Sequence, residues 1–431
     1  MAAYGLDFGT TNSALSRSDG GETRLASFPS PDGPTSVFRS VLFFDPDERD
    51  ALGQARGYTG PAALHAYEER NGEGRLIQSI KSHLSSRSLQ GTSLYGRQVT
   101  IEDLVARILR DIKDQAEADL GPIGGPVVVG RPVRYVGIDS ELDDPYPVER
   151  MRIALAQAGL HDVSFEYEPV AAAFHHERAL DHDEVILVGD FGGGTTDFCL
   201  MTVGPSYRGR SLKRERVLGA DGVGIAGDVF DGKVIRRLVA PVLGRGTTYR
   251  SAFGKDLAVP DWWFVHLETW HRLSLLGSPR NLRAMADVLR TSSAPERLEG
   301  LIHIVRDNLG FSLARSVEDA KIALSSSEQG ALRFSDGPVS FEQTVQRADF
   351  DRWIRPDIDR IEGCLDGLLE RVGVTGADVD VVFLTGGTGQ VPSVRQLFVQ
   401  RFGEHKLRGG DHLTSVASGL ALVAEERARQ A

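Results

Sequence analysis

Residues 4–16 read YGLDFGTTNSALS, and residues 187–200 read LVGDFGGGTTDFCL. The two stretches share an Asp-Phe-Gly and then a Thr-Thr pair, which is followed by Asn12 in the first and Asp197 in the second. In each stretch an apolar, strand-like run ends at an aspartate, Asp7 or Asp190, and glycine follows. Glycine permits positive φ and close backbone approach. The repeat therefore predicts two halves that each open with a strand, a tight turn and a returning strand.

Turns of this kind expose successive N–H groups, which form concavities that bind anions. Two such turns facing each other across a cleft would hold one polyphosphate from both sides. An aspartate at each strand end would hold the waters of a Mg²⁺ ion, which usually keeps several waters in nucleotide sites. One turn alone is more simply a plain β-hairpin. A third Gly-rich turn, LTGGTGQVP at residues 384–392, shifts the interpretation toward phosphate binding.

The composition excludes several classes of partner. The 431 residues are 41% apolar and 25% charged, with a net charge of −11, and a length of this order predicts two to four domains at ~150 residues each. No dense Lys/Arg run appears, so nucleic acid and anionic membranes are poor partner hypotheses. No apolar run approaches the ~20 residues of a membrane span, and no signal sequence opens the chain, which predicts a cytoplasmic protein.

Alternating strand-like and helical segments predict an α/β chain. The clearest helix has apolar residues at helical spacing, namely Ile101, Leu104, Val105, Ile108, Leu109 and Ile112. Thr100 is placed to cap its start, and Gly121 to end it. Residues 75–86 also look helical, within a looser stretch from about 20 to 98 that is rich in Gly, Ser and Pro.

Five segments resemble the ATPase domain of the heat shock protein 70 (Hsp70, DnaK-type) family, part of the actin-like ATPase superfamily. In chain order they read GLDFGTTNS (5–13), EPVAAAF (168–174), GDFGGGTTDF (189–198), SVEDAKIALSS (316–326) and LTGGTGQVPSVRQL (384–397). Each is weak alone, and the combination is specific. The likeness runs from about residue 3 to about residue 425. It is nearest to the shorter YegD-like members, which lack the peptide-binding half.

The resemblance implies an actin-like (ribonuclease H-like) α/β fold with two lobes around a nucleotide cleft. Lobe I would cover residues 1–180, with an inner subdomain at about 1–35 and 100–180 and an outer one at about 36–99. Lobe II would cover residues 181–431, with an inner subdomain at about 181–230 and 320–431 and an outer helical one at about 231–319. MgATP would bind at the floor of the cleft.

The resemblance also assigns roles to the residues of the turns. Asp7 and Asp190 would hold Mg²⁺ through water, and Asp197 would lie near the attacking water. Glu168 would be a catalytic carboxylate, with a strand-end carboxylate in solvent as the alternative interpretation. The phosphate-binding residues would be Gly9, Thr10, Thr11, Asn12, Gly192, Gly193, Gly194 and Thr195, with Gly227 touching a phosphate and Gly386, Gly387 and Thr388 closing the adenosine side.

Two further residues each have an alternative interpretation. The family places one lysine on its small lobe that points at the γ-phosphate, and Lys81 is the candidate here. An ordinary surface lysine is an equal alternative, because this region matches the family weakly. Pro132 resembles the family's switch proline, and a proline that merely ends a strand is the alternative.

The resemblance further implies an adenosine-binding helix with Glu318, Lys321 and Ser325. Their i, i+3, i+7 spacing puts all three on one face. Here Ile322 replaces the arginine that stacks on adenine in the family, and Gln390 also departs from the pattern. The segment at 232–317 is longer than in the family and carries Trp262, Trp263 and Trp270. Such a cluster is usually core, but an inserted one could bind a protein partner.

The sequence thus predicts a weak, Mg²⁺-dependent ATPase with ATP and ADP as its ligands. Opening and closing of the lobes would be its output, in a chaperone-related or regulatory role without a peptide-binding domain. Three alternatives stay open: a small-molecule kinase of the same superfold, an actin-like filament protein, and a nucleotide-binding scaffold without turnover.

Overall fold

The computed structural model describes residues 2–30, 33–50, 53–70, 73–132, 135, 145–207, 216–269, 273, 276–307, 309–408 and 412–430. The chain forms two compact units. The first comprises residues 1–68, 74–226 and 359–431, and the second comprises residues 69–73 and 227–358. The mixed α/β class predicted from the sequence is confirmed, while the division into two lobes and four subdomains stays a prediction.

The elements up to residue 226 are β1 Ala3–Phe8, β2 Asn12–Asp19, β3 Glu22–Leu25, β4 Phe38–Arg39, β5 Leu42–Arg49, β6 Ala55–Thr59, α1 Gly60–Glu69, β7 Arg75–Ile77, β8 Gly91–Leu94, β9 Arg97–Thr100, α2 Ile101–Leu120, β10 Val127–Arg131, α3 Pro145–Gln157, β11 Val163–Tyr167, α4 Glu168–Glu177, β12 Glu184–Phe191, β13 Thr196–Val203 and β14 Val217–Val223. A 3₁₀ turn, Ile80–His83, lies between β7 and β8.

The remaining elements are α5 Gly227–Val234, a π-helical segment Ile235–Val239, α6 Ala240–Val242, β15 Thr248–Arg250, β16 Asp256–Ala258, α7 Asp261–Glu268, α8 Pro279–Leu289, α9 Pro295–Arg306, α10 Gly310–Ser326, β17 Gln329–Asp336, β18 Val339–Gln346, α11 Arg347–Val372, β19 Val381–Thr385, a 3₁₀ turn Gly387–Gln390, α12 Pro392–Phe402, β20 Leu407–Arg408 and α13 His412–Gln430.

Two sheets of the first unit share one strand order. The first runs β11-β10-β1-β2-β3, with β4 added beside β2, and the second runs β20-β19-β12-β13-β14. In the first, β2 is antiparallel to β1 and to β3, while β10 and β11 are parallel to β1 and to each other. The second repeats this pattern with β13, β14, β19 and β20. The repeated phrase of the sequence therefore marks the same hairpin in two sheets of the same topology.

Two helices lie against the sheets and bury a shared apolar core. Helix α13 contacts α4, β1 and β2, and its buried residues join those of α4 and of both sheets in one cluster. The helix approaches very closely at two glycines. A Cβ on Gly5 would overlap the backbone of Ala421, and a Cβ on Gly419 would overlap the carbonyl oxygen of Ala171. Glycine is required at both positions because no side chain fits.

The predicted helix at 101–112 is confirmed, and it covers the other face of the first sheet. Helix α2 starts at a capping box in which the Thr100 hydroxyl accepts from the Asp103 N–H and the Asp103 carboxylate accepts from the Thr100 N–H. It ends at Gly121, whose φ is +82°. The predicted helix at 75–86 is wrong. That segment holds the short strand β7 and the 3₁₀ turn instead.

The second unit is mostly helical, with two hairpins. In chain order, helix α5 is followed by the hairpin of β15 and β16, then by helices α7 to α10, and then by the hairpin of β17 and β18. This second hairpin contacts α10. Trp263 is buried, whereas Trp262 is 46% exposed, and the two rings lie edge to face at 6.1 Å. Trp270 lies outside the described residues. Among the helices of the described residues, none is both long and apolar enough to span a membrane.

Candidate functional site

The two aspartates of the repeated phrase occupy equivalent positions in the two sheets. Asp7 is the last residue but one of β1, and Asp190 is the last but one of β12. In the returning strands, Ala14 lies opposite Asp7 and Asp197 lies opposite Asp190. The charge of Asp190 is close enough to contribute to a raised pKa at Asp7. The structure therefore brings together the carboxylates that the sequence predicts to share a cation.

Lys81 lies beside these aspartates and not at the surface. Lys81 lies in the 3₁₀ turn Ile80–His83 and is only 6% exposed. Its Nζ is 2.7 Å from Oε1 of Glu168, the first residue of α4. Burial alone would lower the pKa of Lys81, but the charges of Glu168 and Asp7 outweigh burial and raise it. Both simpler interpretations, a surface lysine and a solvated glutamate, are wrong.

The third glycine turn supports the second one directly. Thr385, at the end of β19, donates its hydroxyl to Oδ1 of Asp190 at 2.6 Å. Thr388 donates to the carbonyl oxygen of Gly192 at 3.4 Å. Gly386 has a φ of +80°, and a Cβ there would overlap the carbonyl oxygen of Phe191. The glycine is thus fixed by the close approach of two turns from neighbouring parallel strands.

The second turn itself is closed by its own backbone. The Gly192 N–H donates to the carbonyl oxygen of Thr195 at 2.9 Å, so Gly193 and Gly194 form the bend. The next residue, Thr196, is buried and donates to the carbonyl oxygen of Ile225 at 2.7 Å. The turn is therefore held at its base while its tip stays partly exposed.

Three carboxyl groups of the site have raised pKa values. Burial, with repulsion from Glu168, raises the pKa of Asp7 to about 8, partly opposed by Lys81. Burial and Glu168 raise the pKa of Asp190 to about 6, against the hydrogen bond from Thr385. Burial and the charge of Asp190 raise the pKa of Asp197 as well. One lysine therefore faces four carboxyl groups, and burial and mutual repulsion oppose the ionisation of Asp7, Asp190 and Asp197.

The first turn is equally tight. A Cβ on Gly9 would overlap the carbonyl oxygen of Asn12, so only glycine fits there. Thr10 and Thr11 form the bend between β1 and β2, and Asn12 begins β2. Asn12 accepts a hydrogen bond from Nη1 of Arg39 at 3.2 Å. Asp7 and the predicted phosphate-binding residues Thr10, Thr11 and Asn12 thus lie on one hairpin.

The residues predicted to recognise adenosine lie in the second unit, on α10. Glu318, Lys321 and Ser325 are all half-buried, and Lys321 Nζ is 2.8 Å from Oδ1 of Asp231 on α5. Burial raises the pKa of Asp231 to about 6, against the charge of Lys321. Ile322 on the same helix is 59% exposed, an unusual position for an isoleucine. Gly227 is buried as the first residue of α5.

Several contacts of the predicted residues, within one unit or the other, were not foreseen from the sequence. Thr385, Arg39 and Asp231 each bind a predicted residue directly. Tyr135 is 6% exposed, and its hydroxyl interacts electrostatically with Lys81 and Glu168. Of these contacts, only that of Thr385 had a signal in the sequence, because the other two glycine turns also have threonines beside their glycines. Pro132 directly follows β10, a position that suits both of its predicted roles.

The donor set fits a hydrated divalent cation. Oδ1 of Asp197 is buried without a hydrogen-bond partner among the described residues, and a cation would favour the ionised forms of Asp7 and Asp190, which burial and the charge of Glu168 disfavour. Within the described ranges, no group of three or more His, Cys, Asp and Glu side chains could ligate a metal directly. Magnesium usually keeps several of its waters and binds through one or two carboxylates, so Mg²⁺ binding by Asp7 and Asp190 through water stays a prediction.

Comparison with known proteins agrees with these observations. A family model described as Hsp70 protein matches residues 304–426. The chaperone protein DnaK of Methanothermobacter thermautotrophicus is 25% identical over 422 residues, which cover 97% of this chain and 58% of that protein. The chain thus spans little more than half the length of this curated relative. The similarity to this DnaK protein extends over nearly all of the chain.

Proposed function

We propose that this chain is an Hsp70-like ATPase that binds MgATP and hydrolyses it slowly. One observation carries the proposal: the two hairpin turns of the repeated phrase end equivalent strands in two sheets of the same order. Their aspartates share one region with the buried Lys81–Glu168 pair. The similarity to an Hsp70 relative supports the same assignment.

Each residue of this cluster has a role in the proposed reaction. Asp7 and Asp190 would hold Mg²⁺ through water, and the bound ion supplies charge neutralisation to the phosphate oxygens. Glu168 fixes the ammonium of Lys81 at 2.7 Å, so that it can face the γ-phosphate. Asp197 is suited to orient water and accept its proton, because a carboxylate with a raised pKa is a stronger base. Catalysis of this kind consists mostly of positioning and charge stabilisation.

Recognition of adenosine by Glu318, Lys321 and Ser325 is a separate part of the proposal. The Lys321–Asp231 ion pair supports it, because it fixes the long lysine side chain on α10. The exposed Ile322 would supply an apolar surface for the base. We infer weaker selectivity for adenine than an arginine stack would give, because Ile322 provides neither charge nor a planar group.

The central test is calorimetry with ATP, ADP and AMP, with and without Mg²⁺, followed by single-turnover hydrolysis of ATP. We expect MgATP and MgADP to bind and ATP to turn over slowly. Asp7→Asn and Asp190→Asn should each reduce Mg²⁺-dependent hydrolysis at least about 100-fold, since each removes charge at the proposed ion. Asp19→Asn is the matched control, because Asp19 ends β2 far from the turn and its side chain is 58% exposed.

The outcomes separate the parts of the proposal. Failure of both ATP and ADP to bind would defeat it. Binding without turnover would leave a nucleotide-binding scaffold. Unchanged hydrolysis in both aspartate variants would show that the turns are misassigned. We further propose a YegD-like subtype, lobe movement and a chaperone-related role.

A further inference from the structure

Arg39 is joined to the first phosphate turn by strand pairing. The short strand β4 lies beside β2, with Arg39 opposite Asn12 and Phe38 opposite Ser13. The guanidinium Nη1 donates to Oδ1 of Asn12 at 3.2 Å. Because Asn12 is the residue that follows the two turn threonines, this pairing fixes an arginine at the end of the turn.

A neighbouring serine fastens the same segment. The N–H of Ser40 donates to the carbonyl oxygen of Thr11 at 2.9 Å, and its hydroxyl lies 2.8 Å from that of Ser13. Ser13 and Ser40 are both buried. The backbone on either side of Arg39 is thus held against the turn, so the side chain begins from a fixed point.

The pleat of the sheet decides which face Arg39 occupies. Side chains alternate between the two faces along a strand, and directly opposed residues share a face. Asn12 and Ala14 therefore share one face of β2, and Asp7 lies on that face because it is opposite Ala14. Arg39, opposite Asn12, lies there too, whereas Phe38 belongs to the apolar core on the other face. Arg39 and Asp7 thus project from the same face of the sheet.

No carboxylate among the described residues is paired with Arg39, whose guanidinium contacts Asn12 and which is only half-buried. A guanidinium has five N–H donors, and the described residues accept one hydrogen bond from this one. Meanwhile the site holds four carboxyl groups and one ammonium. A polyphosphate brought into such a site with one Mg²⁺ would need further positive charge.

We propose that the Arg39 guanidinium binds the β- or γ-phosphate oxygens of the bound nucleotide, as a second protein cation beside Lys81. The inference rests on the proposed function and adds a ligand contact to it. The planar fork of arginine matches phosphate oxygens in pairs. The hydrogen bond to Asn12 orients the fork and leaves its remaining donors for the ligand.

The test compares Arg39→Gln and Arg39→Lys with the wild-type chain. Glutamine can still donate to Asn12 but carries no charge, and lysine keeps the charge without the fork. Arg24→Gln is the matched control, since Arg24 lies on the neighbouring β3, pairs with Asp119 and is 64% exposed. Calorimetry would measure Mg-tripolyphosphate, MgATP and adenosine, which separates phosphate binding from base recognition.

We expect Arg39→Gln to weaken MgATP and Mg-tripolyphosphate by about 10- to 100-fold and to leave adenosine unchanged. Arg39→Lys should recover part of this loss, and Arg24→Gln should resemble the wild type. Wild-type affinity of Arg39→Gln for MgATP would overturn the inference while the proposed function stands. An equal loss for adenosine would reduce Arg39 to a structural role. Failure of the wild type to bind any of the phosphates would overturn both.

Discussion

Asp190 is placed where its own negative charge is disfavoured. Burial and the neighbouring Glu168 raise its pKa to about 6, although the Thr385 hydroxyl opposes this by donating to Oδ1. A carboxylate whose pKa is higher in the folded chain binds protons more tightly there. Its ionisation therefore destabilises the fold as the pH rises above about 4, and the full cost is reached above about 6. The residue is retained at a cost that a bound cation would offset.

This cost gives a prediction for the metal-free chain. Asp190→Asn should stabilise the fold at pH 8 by about 2–3 kcal/mol, the equivalent of roughly two pKa units, and the gain should shrink toward pH 4.5. Asparagine keeps an oxygen that can accept from Thr385, so the hydrogen bond survives. Urea unfolding at both pH values, with a chelator present, measures the effect. An equal gain at both values would mean that ionisation is not its cause.

At the scale of the element, the 3₁₀ turn that carries Lys81, Ile80–His83, follows a strained residue and is held at its C-terminal end. Ser79, just before it, has a left-handed φ of +53°, a strained conformation for a residue with a side chain. Beyond it, the buried Arg150 of α3 donates Nη1 to the carbonyl oxygens of His83 and Leu84, each at 3.1 Å. Arg150 is paired in turn with Glu102 of α2. The turn is thereby tied to two helices.

Removing the contacts of Arg150 should affect both the stability of the fold and the position of Lys81. We expect Arg150→Met to cost about 3–5 kcal/mol, because it leaves the Glu102 carboxylate without its buried partner. At temperatures where the variant stays folded, single-turnover hydrolysis should also slow, since Lys81 loses its fixed position. Arg152→Met is the control on the same helix. Its side chain is 48% exposed and it should cost under about 1 kcal/mol. Normal hydrolysis by folded Arg150→Met would show that the turn holds Lys81 without help.

The contact between α13 and α4 predicts that a Gly→Ala substitution in a helix destabilises the fold at one position, against the usual effect. Alanine normally stabilises a helix relative to glycine by about 0.5–1 kcal/mol. Gly363→Ala in α11 should show that gain, because nothing lies within 4 Å of its added Cβ. Gly419→Ala in α13 should instead destabilise by more than about 2 kcal/mol, since its Cβ would overlap the carbonyl oxygen of Ala171. Thermal unfolding of the two variants measures the contrast. A stabilised Gly419→Ala would show that the helices can move apart freely.

At the scale of the whole molecule, the sequence predicted the features that are local. The repeated phrase could be recognised because each half needs its Asp, Gly and Thr residues within one short segment. The same holds for α2, whose cap at Thr100 and stop at Gly121 both lie beside the helix. The assignment of Asp7 and Asp190 to one site followed from the repeat, since equivalent strand ends were expected to face a common ligand.

The features that the sequence could not reveal depend on pairs of distant residues. Arg39 meets Asn12 only through the two-residue strand β4, and Thr385 meets Asp190 across 195 positions of the chain. The mistaken helix at 75–86 has a related cause. Its apolar residues are spaced as in a helix, but β7 is held in place by pairing with β5. Short segments take their conformation from partners that no local pattern contains.

The position of α13 has a consequence for the order in which the chain folds during synthesis. Glu425 accepts hydrogen bonds from the Ser18 hydroxyl, 407 residues earlier, and from the Gly21 N–H. The first sheet leaves the ribosome long before α13, which covers it, so its apolar surface stays exposed until α13 is made. Contacts so distant slow folding and expose intermediates to aggregation. Newly made chains should thus depend on protection until synthesis reaches residue 430.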